Sequence, residues 1–156
     1  MTVYRLSKER YKNDLSGVGA EKFGGRWNTK GVRMVYTSDS RALAKLEVAV
    51  HVAFHRMPKN YFLAIIEIPD DCILNYDSQK LAGKNWKNNP PIRYTQSEGD
   101  AFIAANESLA LKVPSAMVEG DFNVLINPVH PDVKNLSVVR TERFSFDMRL
   151  FKRDTR

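Results

Sequence analysis

The run Tyr61-Phe62-Leu63-Ala64-Ile65-Ile66-Glu67-Ile68 is the most hydrophobic stretch of the chain, and Pro69 stops it. Its length and its isoleucines fit a strand better than a helix of about 10–12 residues, so it reads as a central strand. It falls far short of the roughly 18–20 apolar residues that a membrane-crossing helix needs. Shorter extended runs surround it: Val3 to Leu6, Val32 to Thr37, Ser108 to Val113 and Asn123 to Ile126. Near the end, Phe144, Phe146, Met148 and Leu150 alternate with Ser145, Asp147 and Arg149, the period of a strand. Strands outnumber helices and do not alternate strictly with them, so the expected class is α+β. Neither a repeat nor a linker divides the chain, so residues 1–156 read as one domain, with 152–156 expected to fray.

One helix carries a carboxylate on the wrong side. Ser38, Asp39 and Ser40 offer N-cap oxygens, and neither proline nor glycine interrupts the residues up to His55. At about 100° per residue, with Leu43 at zero, Leu46 falls at about 300°, Val50 at about 340° and Phe54 at about 20°, an apolar stripe. Glu47 falls at about 40°, at the edge of that stripe, with His51 one turn further on. A carboxylate turned toward a core is costly unless it is paired or lines a polar cavity. Glu47 is therefore salt-bridged to an inward arginine, tilted out at the core boundary, or a functional acid lining a pocket. Thr95-Gln96-Ser97-Glu98 has the form of a capping box and is expected to open a second helix running to about Glu107.

Residues 7–31 are rich in Gly, Lys, Asn and Ser and read as a long irregular loop, of a length that usually binds something or is disordered. Its glycines permit close backbone approach to a ligand, but neither GxGxxG nor GxxxxGK[ST] is present. Arg26 stands in a glycine turn within Gly24-Gly25-Arg26-Trp27-Asn28, and Arg5 is a cation in a half-buried strand. Residues Asn75 to Pro91 read as a polar loop with Trp86 isolated among lysines and asparagines, and Asn127-Pro128-Val129-His130-Pro131 as a rigid turn.

The 156 residues carry a net charge of +6, so an anionic partner is expected without the charge choosing which. The single cysteine, Cys72, excludes an internal disulfide and a cysteine-based metal cluster, and no signal peptide opens the sequence. A cytoplasmic setting follows as the default.

In order along the chain, Tyr4-Arg5-Leu6, Gly24-Gly25-Arg26-Trp27-Asn28, Val35-Tyr36-Thr37-Ser38, Leu46-Glu47 with His51, Ser108-Leu109 leading to Val113-Pro114-Ser115, and Asn127-Pro128 with His130-Pro131 closely resemble the RES-domain toxins of bacterial toxin–antitoxin pairs. The resemblance runs from about residue 3 to about residue 139 and implies an ADP-ribosyltransferase-like fold, two small sheets around an NAD cleft. It also implies a toxin that breaks the nicotinamide–ribose bond of NAD+, with NAD+ as substrate, no other cofactor and no metal. An Xre-type antitoxin is the implied partner, with nucleic acid reached only through it, and a homodimer is implied as well. By position the family's arginine is Arg26, its tyrosine Tyr36, its glutamate Glu47 and its serine Ser115.

Such chemistry has use for these residues. Breaking the glycosidic bond builds positive charge on the ribose, which a preorganised carboxylate stabilises. Glu47 takes that role, and nicotinamide leaves as a neutral base, so no second carboxylate is required. Arg26, with Arg5 as a second candidate, supplies forked donors for the pyrophosphate. Tyr36 offers a ring face for nicotinamide with its hydroxyl left for a hydrogen bond. Ser115 is expected to bind and not to attack, since no His–Asp relay surrounds it. Trp27, Asn28 and His51 complete the candidate substrate-binding set, each with a plain structural alternative: core aromatic, turn cap and Glu47 partner.

Two rivals stand. One keeps the fold and transfers ADP-ribose to a protein side chain; the family's protein-modifying relatives often place a second glutamate two residues before the first, and Lys45 occupies that position here. The other is a nucleic-acid-binding module using Lys84, Lys87, Arg93, Trp86, Tyr94 and the basic tail.

Overall fold

In a computed structural model that describes residues 1–51, 59–147 and 149, the apolar run from Tyr61 forms a strand as its composition dictates. This strand, β3 (Tyr61–Glu67), is one of seven among the described residues. The others are β1 (Thr2–Lys8), β2 (Val35–Ser38), β4 (Ile73–Asn75), β5 (Ala110–Pro114), β6 (Phe122–Ile126) and β7 (Val138–Phe144). The order across the sheet is β4-β5-β6-β2-β1-β3-β7, with every pairing antiparallel except β4–β5. β3 is an interior strand, paired with β1 on one side and β7 on the other, but it lies next to the sheet edge and not at its centre.

The structure is α+β, but with one sheet where the resemblance implies two. The sheet narrows sharply in its middle, because β1 and β2 pair only at Tyr4 and Ser38. On one side lie β4, β5, β6 and β2, and on the other β1, β3 and β7. No described helix is long and apolar enough to cross a membrane.

The last strand begins earlier than its aromatic alternation suggests. β7 is Val138–Phe144, and residues 145–147 follow it without strand structure. Phe146 is instead buried beside Leu6, Ala44 and Leu63. Met148, Leu150, residues 152–156, Phe54 and His55 lie outside the described residues.

Helix α1 (Val18–Phe23) lies inside the stretch expected to be loop, bounded by Gly17 and Gly24 at positive φ. Helix α2 (Arg41–Ala49) starts as expected: the Ser40 hydroxyl accepts from the Leu43 N–H at 3.1 Å. Its buried face differs from the expected stripe. Leu43 and Ala44 are buried, whereas Leu46 and Val50 are 37% and 51% exposed. The small Ala44 lets the helix approach Leu6 and Leu63 of the sheet, and Val48 packs with them. The true apolar arc runs from Leu43 through Ala44 to Val48, so Glu47 lies within it and not at its edge.

Helix α3 (Arg93–Ala105) begins two residues before the expected capping box. Ile92 is the N-cap, and the Thr95 hydroxyl donates to the Ile92 carbonyl at 3.0 Å instead of capping. The Asn75–Pro91 segment holds a 3-10 turn at Ser78–Leu81, and its Trp86 lies 6.5 Å from Trp27 in the core.

Side chains directly opposite across a sheet share a face. One row is Tyr36, Leu125 and Leu111, and the next is Ser38, Asn123 and Val113. Trp27, Met34 and Phe102 of α3 pack on this face against Leu111, Val113 and Leu125. Tyr4, opposite Ser38, continues the face toward α2. The other face, with Val3, Val35, Val124 and Ile126, is covered by Leu15, Val133 and Leu136.

Candidate active site

The glycine turn is built around the tyrosine hydroxyl. Gly24 takes a φ of +73°, and the Gly25 N–H donates to the Asn28 carbonyl at 2.9 Å, closing the turn. The Tyr36 hydroxyl donates to Asn28 Oδ1 at 2.7 Å and accepts from the Trp27 N–H at 2.9 Å. A Cβ on residue 25 would stand 2.5 Å from that hydroxyl, so the turn closes only over glycine. Asn28 is fully buried and its Nδ2 donates to the carbonyls of Ala20 and Val32 at 2.9 Å each. Asn28 therefore organises the turn. Trp27 is a core aromatic, edge-on to Tyr76 at 5.1 Å.

The Tyr36 hydroxyl, expected to be left for a ligand, is used within the protein. Burial raises its pKa and keeps it protonated, as the bond to Asn28 requires. Tyr36→Phe should leave the Trp27 N–H and Asn28 Oδ1 unpartnered, at a cost of about 2–3 kcal/mol in urea unfolding. A variant as stable as the wild type would show that the hydroxyl does not hold the turn.

This turn delivers Arg26. Its Nη1 donates to the carbonyl oxygens of Trp86 and Asn88, the latter at 3.0 Å, so the polar segment after Leu81 holds the guanidinium. Among the described residues Nε and Nη2 have no protein acceptor and remain for an anion. Burial lowers the Arg26 pKa, while the nearby charge of Glu47 opposes that shift. Tyr36 in turn feels both Arg26 and Glu47. Arg26, Tyr36 and Glu47 thus form one electrostatic neighbourhood.

Glu47 is not half of a buried ion pair. Its Oε1 accepts from Asn123 Nδ2 at 2.7 Å, and Asn123 Oδ1 accepts from the Ser38 hydroxyl at 2.8 Å. His51 does not meet this carboxylate: its Nδ1 lies 2.7 Å from the Glu47 backbone carbonyl, and its ring is exposed.

Ser115 follows β5 on the same alternation as Val113, at the end of the sheet that holds Ser38 and Asn123. It is buried, and its hydroxyl oxygen accepts from the N–H groups of Met117 and Val118 at 3.0 and 3.1 Å. Both lone pairs are occupied, so what it can offer a ligand is its proton, as a donor. That is incompatible with a nucleophile and fits a binding role.

Arg5 is not brought to this cluster. It alternates with Tyr4 onto the other face, donates to the Tyr11 carbonyl at 2.9 Å, and its pKa is lowered by burial against the opposing field of Asp14.

The residues that the sequence did not single out are those that secure the turn from α3. Gln96 Nε2 donates to the Gly25 carbonyl at 3.1 Å, and the Asp100 carboxylate accepts from the Thr29 N–H and hydroxyl at 2.9 and 2.8 Å. Gly99 lies directly against the Trp27 carbonyl. A glycine inside a helix was the one available signal, since it weakens a helix unless packing demands it. Two concavities of about 430 and 460 Å3 lie elsewhere, against Leu136, and include none of these residues. Among the described residues no three His, Cys, Asp or Glu side chains gather as metal ligands would.

Residues 2–147 match the family model described as RES domain. The protein named Toxin Res from Yersinia enterocolitica is 37% identical over 152 residues, 96% of this chain and 99% of its own length. The protein named Prs ADP-ribosylating toxin from a Sphingobium species is 36% identical over 143 residues, 90% of this chain and 89% of its own. In fold, the chain is similar to one in the crystal structure of the M. tuberculosis MbcT-MbcA toxin-antitoxin complex. That match has a TM-score of 0.66 at 21% identity and covers 92% of this chain and 84% of the other.

Proposed function

The chain belongs to the RES domain family, and from that premise we propose that it is the toxin of a toxin–antitoxin pair that cleaves NAD+ between nicotinamide and ribose. The observation that carries this reading is the Glu47 carboxylate held through one oxygen by the neutral amide of Asn123, with Arg26 offering Nε and Nη2 from the turn that Tyr36 holds. In the cleavage, the bond from ribose C1″ to the pyridinium nitrogen breaks and its electron pair stays on nicotinamide, which leaves neutral. The ribose carbon becomes cationic, and the Glu47 carboxylate stabilises it from a fixed position. Water or phosphate then forms the new C1″–O bond, water losing a proton to the solvent. Arg26 directs Nε and Nη2 at the pyrophosphate, the Tyr36 ring supports nicotinamide, and Ser115 donates to a ribose or amide oxygen.

The partner in this reading is an antitoxin protein, supported by the relatives named Toxin Res and by the fold shared with a chain of a toxin–antitoxin complex, and it is taken to be of Xre type from the resemblance alone. A second copy of the chain makes the dimer, nucleic acid is met only through the antitoxin, and the site of action is the cytoplasmic NAD+ pool.

Transfer to a protein side chain is the second reading, favoured by the 36% identity to a protein named Prs ADP-ribosylating toxin. Incubation of the purified chain with NAD+, with and without phosphate, separates them. Free nicotinamide with ADP-ribose indicates water as acceptor, and the 1″-phosphate indicates phosphate. Intact NAD+ from folded protein, together with labelled ADP-ribose on an added cell extract, would move the assignment to protein modification.

A further inference from the structure

The carboxylate of Glu47 can only accept hydrogen bonds, so the group 2.7 Å from Oε1 must be the NH2 of Asn123. That leaves Asn123 Oδ1 facing Ser38 at 2.8 Å, where the hydroxyl must donate. The direction of each bond is thus set by the carboxylate at one end. Ser38 and Asn123 are directly opposed in the β2–β6 register. The next pair is locked as well: the Asp39 N–H donates to the Phe122 carbonyl at 3.0 Å, and the Phe122 N–H to Asp39 Oδ2 at 3.2 Å.

We propose that Asn123 is the positioning residue of Glu47, and that Ser38 sets the orientation of its amide. This rests on the reading of Glu47 as the group that stabilises the ribose cation. The choice of an amide has a physical reason. A lysine or arginine at position 123 would orient Glu47 equally well but would neutralise the charge that the ribose needs. An aspartate would repel it. The amide holds Oε1 and leaves both the negative charge and Oε2 for the substrate, while Arg26 stays near enough to be felt but makes no ion pair with it.

Asn123→Leu should lower kcat about 10- to 100-fold with KM changed less than about threefold, the loss expected of one hydrogen bond to a charged group. Asn123→Asp, nearly the same shape, should lose at least as much, and Ser38→Ala about three- to tenfold. In a Glu47→Ala background, where the bond to Asn123 is absent, Asn123→Leu should cost less than about twofold more, since the two act as a unit. Losses that multiply independently, or that follow the fall in melting temperature and not kcat, would overturn the proposal, and Asn123→Asp keeps the test open if the leucine variant does not fold. The same variants are scored by the inducer level that arrests growth. A wild type that arrests growth while leaving NAD+ intact sinks the NAD+ reading alone, and the inducer levels needed by Asn123→Leu, Asn123→Asp and Ser38→Ala against wild type still decide Asn123. The side-chain amide resonances of Asn123 should also move in Glu47→Ala without any turnover; unmoved resonances would remove the hydrogen bond and the proposal with it.

Discussion

Glu47→Gln is expected to reduce NAD+ cleavage about a thousandfold and to abolish growth arrest on expression, with the fold intact. Glutamine keeps the length and shape of the side chain and still presents an oxygen to Asn123 Nδ2, so the 2.7 Å bond survives. What disappears is the negative charge facing the ribose, which matters most at the transition state and so should appear in kcat more than in KM. Glu47 sits in the buried arc of α2 beside Ala44 and Val48, and a neutral amide there should keep the melting temperature within a few degrees of wild type. Arg26→Ala should also fail, but through substrate binding. Equal growth arrest by the Glu47→Gln variant and the wild type would remove Glu47 from the chemistry.

Gly99→Ala should be the most damaging small substitution in the chain for stability. On an exposed helix, alanine for glycine gains about 1 kcal/mol. Here a Cβ would lie 1.7 Å from the Trp27 carbonyl oxygen and 2.7 Å from its carbon, both backbone atoms that no rotamer change can move. Relief requires α3 to back away, which would pull Gln96 from the Gly25 carbonyl and Asp100 from Thr29. A loss of about 3–5 kcal/mol is expected, or about 10 °C in melting temperature for a domain of this size. Urea unfolding with near-ultraviolet dichroism of the Trp27 region measures it, and a loss under about 1 kcal/mol would mean that α3 does not press on the turn as described. The damage should reach activity too, because Arg26 precedes Trp27.

The parts legible in the sequence were those where one residue broke a local pattern. An acid at the edge of an apolar helical stripe singled out Glu47 as a candidate, while Arg26 became one only through the resemblance. The long apolar run marked β3. What stayed hidden depended on distant partners. β7 carries Arg140, Glu142 and Arg143 among its seven residues and lies at the sheet edge, so no apolar alternation announces it. Three-residue β4 is too short to have a period. Asn123 looked like any polar residue opening a strand, because its importance arises only once the register places it between Ser38 and Glu47. The apolar face of α2 was misjudged for a related reason: large side chains weigh most in a helical stripe, while the sheet selected the small Ala44.

The pairing of β1 with β2 at Tyr4 and Ser38 alone makes the molecule a pair of leaves on a narrow pin. Helix α2 rides on one leaf, seated over Leu6 and Leu63 and tethered to β7 by Arg41 on Glu142 at 2.6 Å. Asn123 and Tyr36 ride on the other, with the Arg26 turn fastened to them. The Glu47–Asn123 bond thus ties the helix seated over β1 and β3 to β6, a second link across the place where the sheet is narrowest.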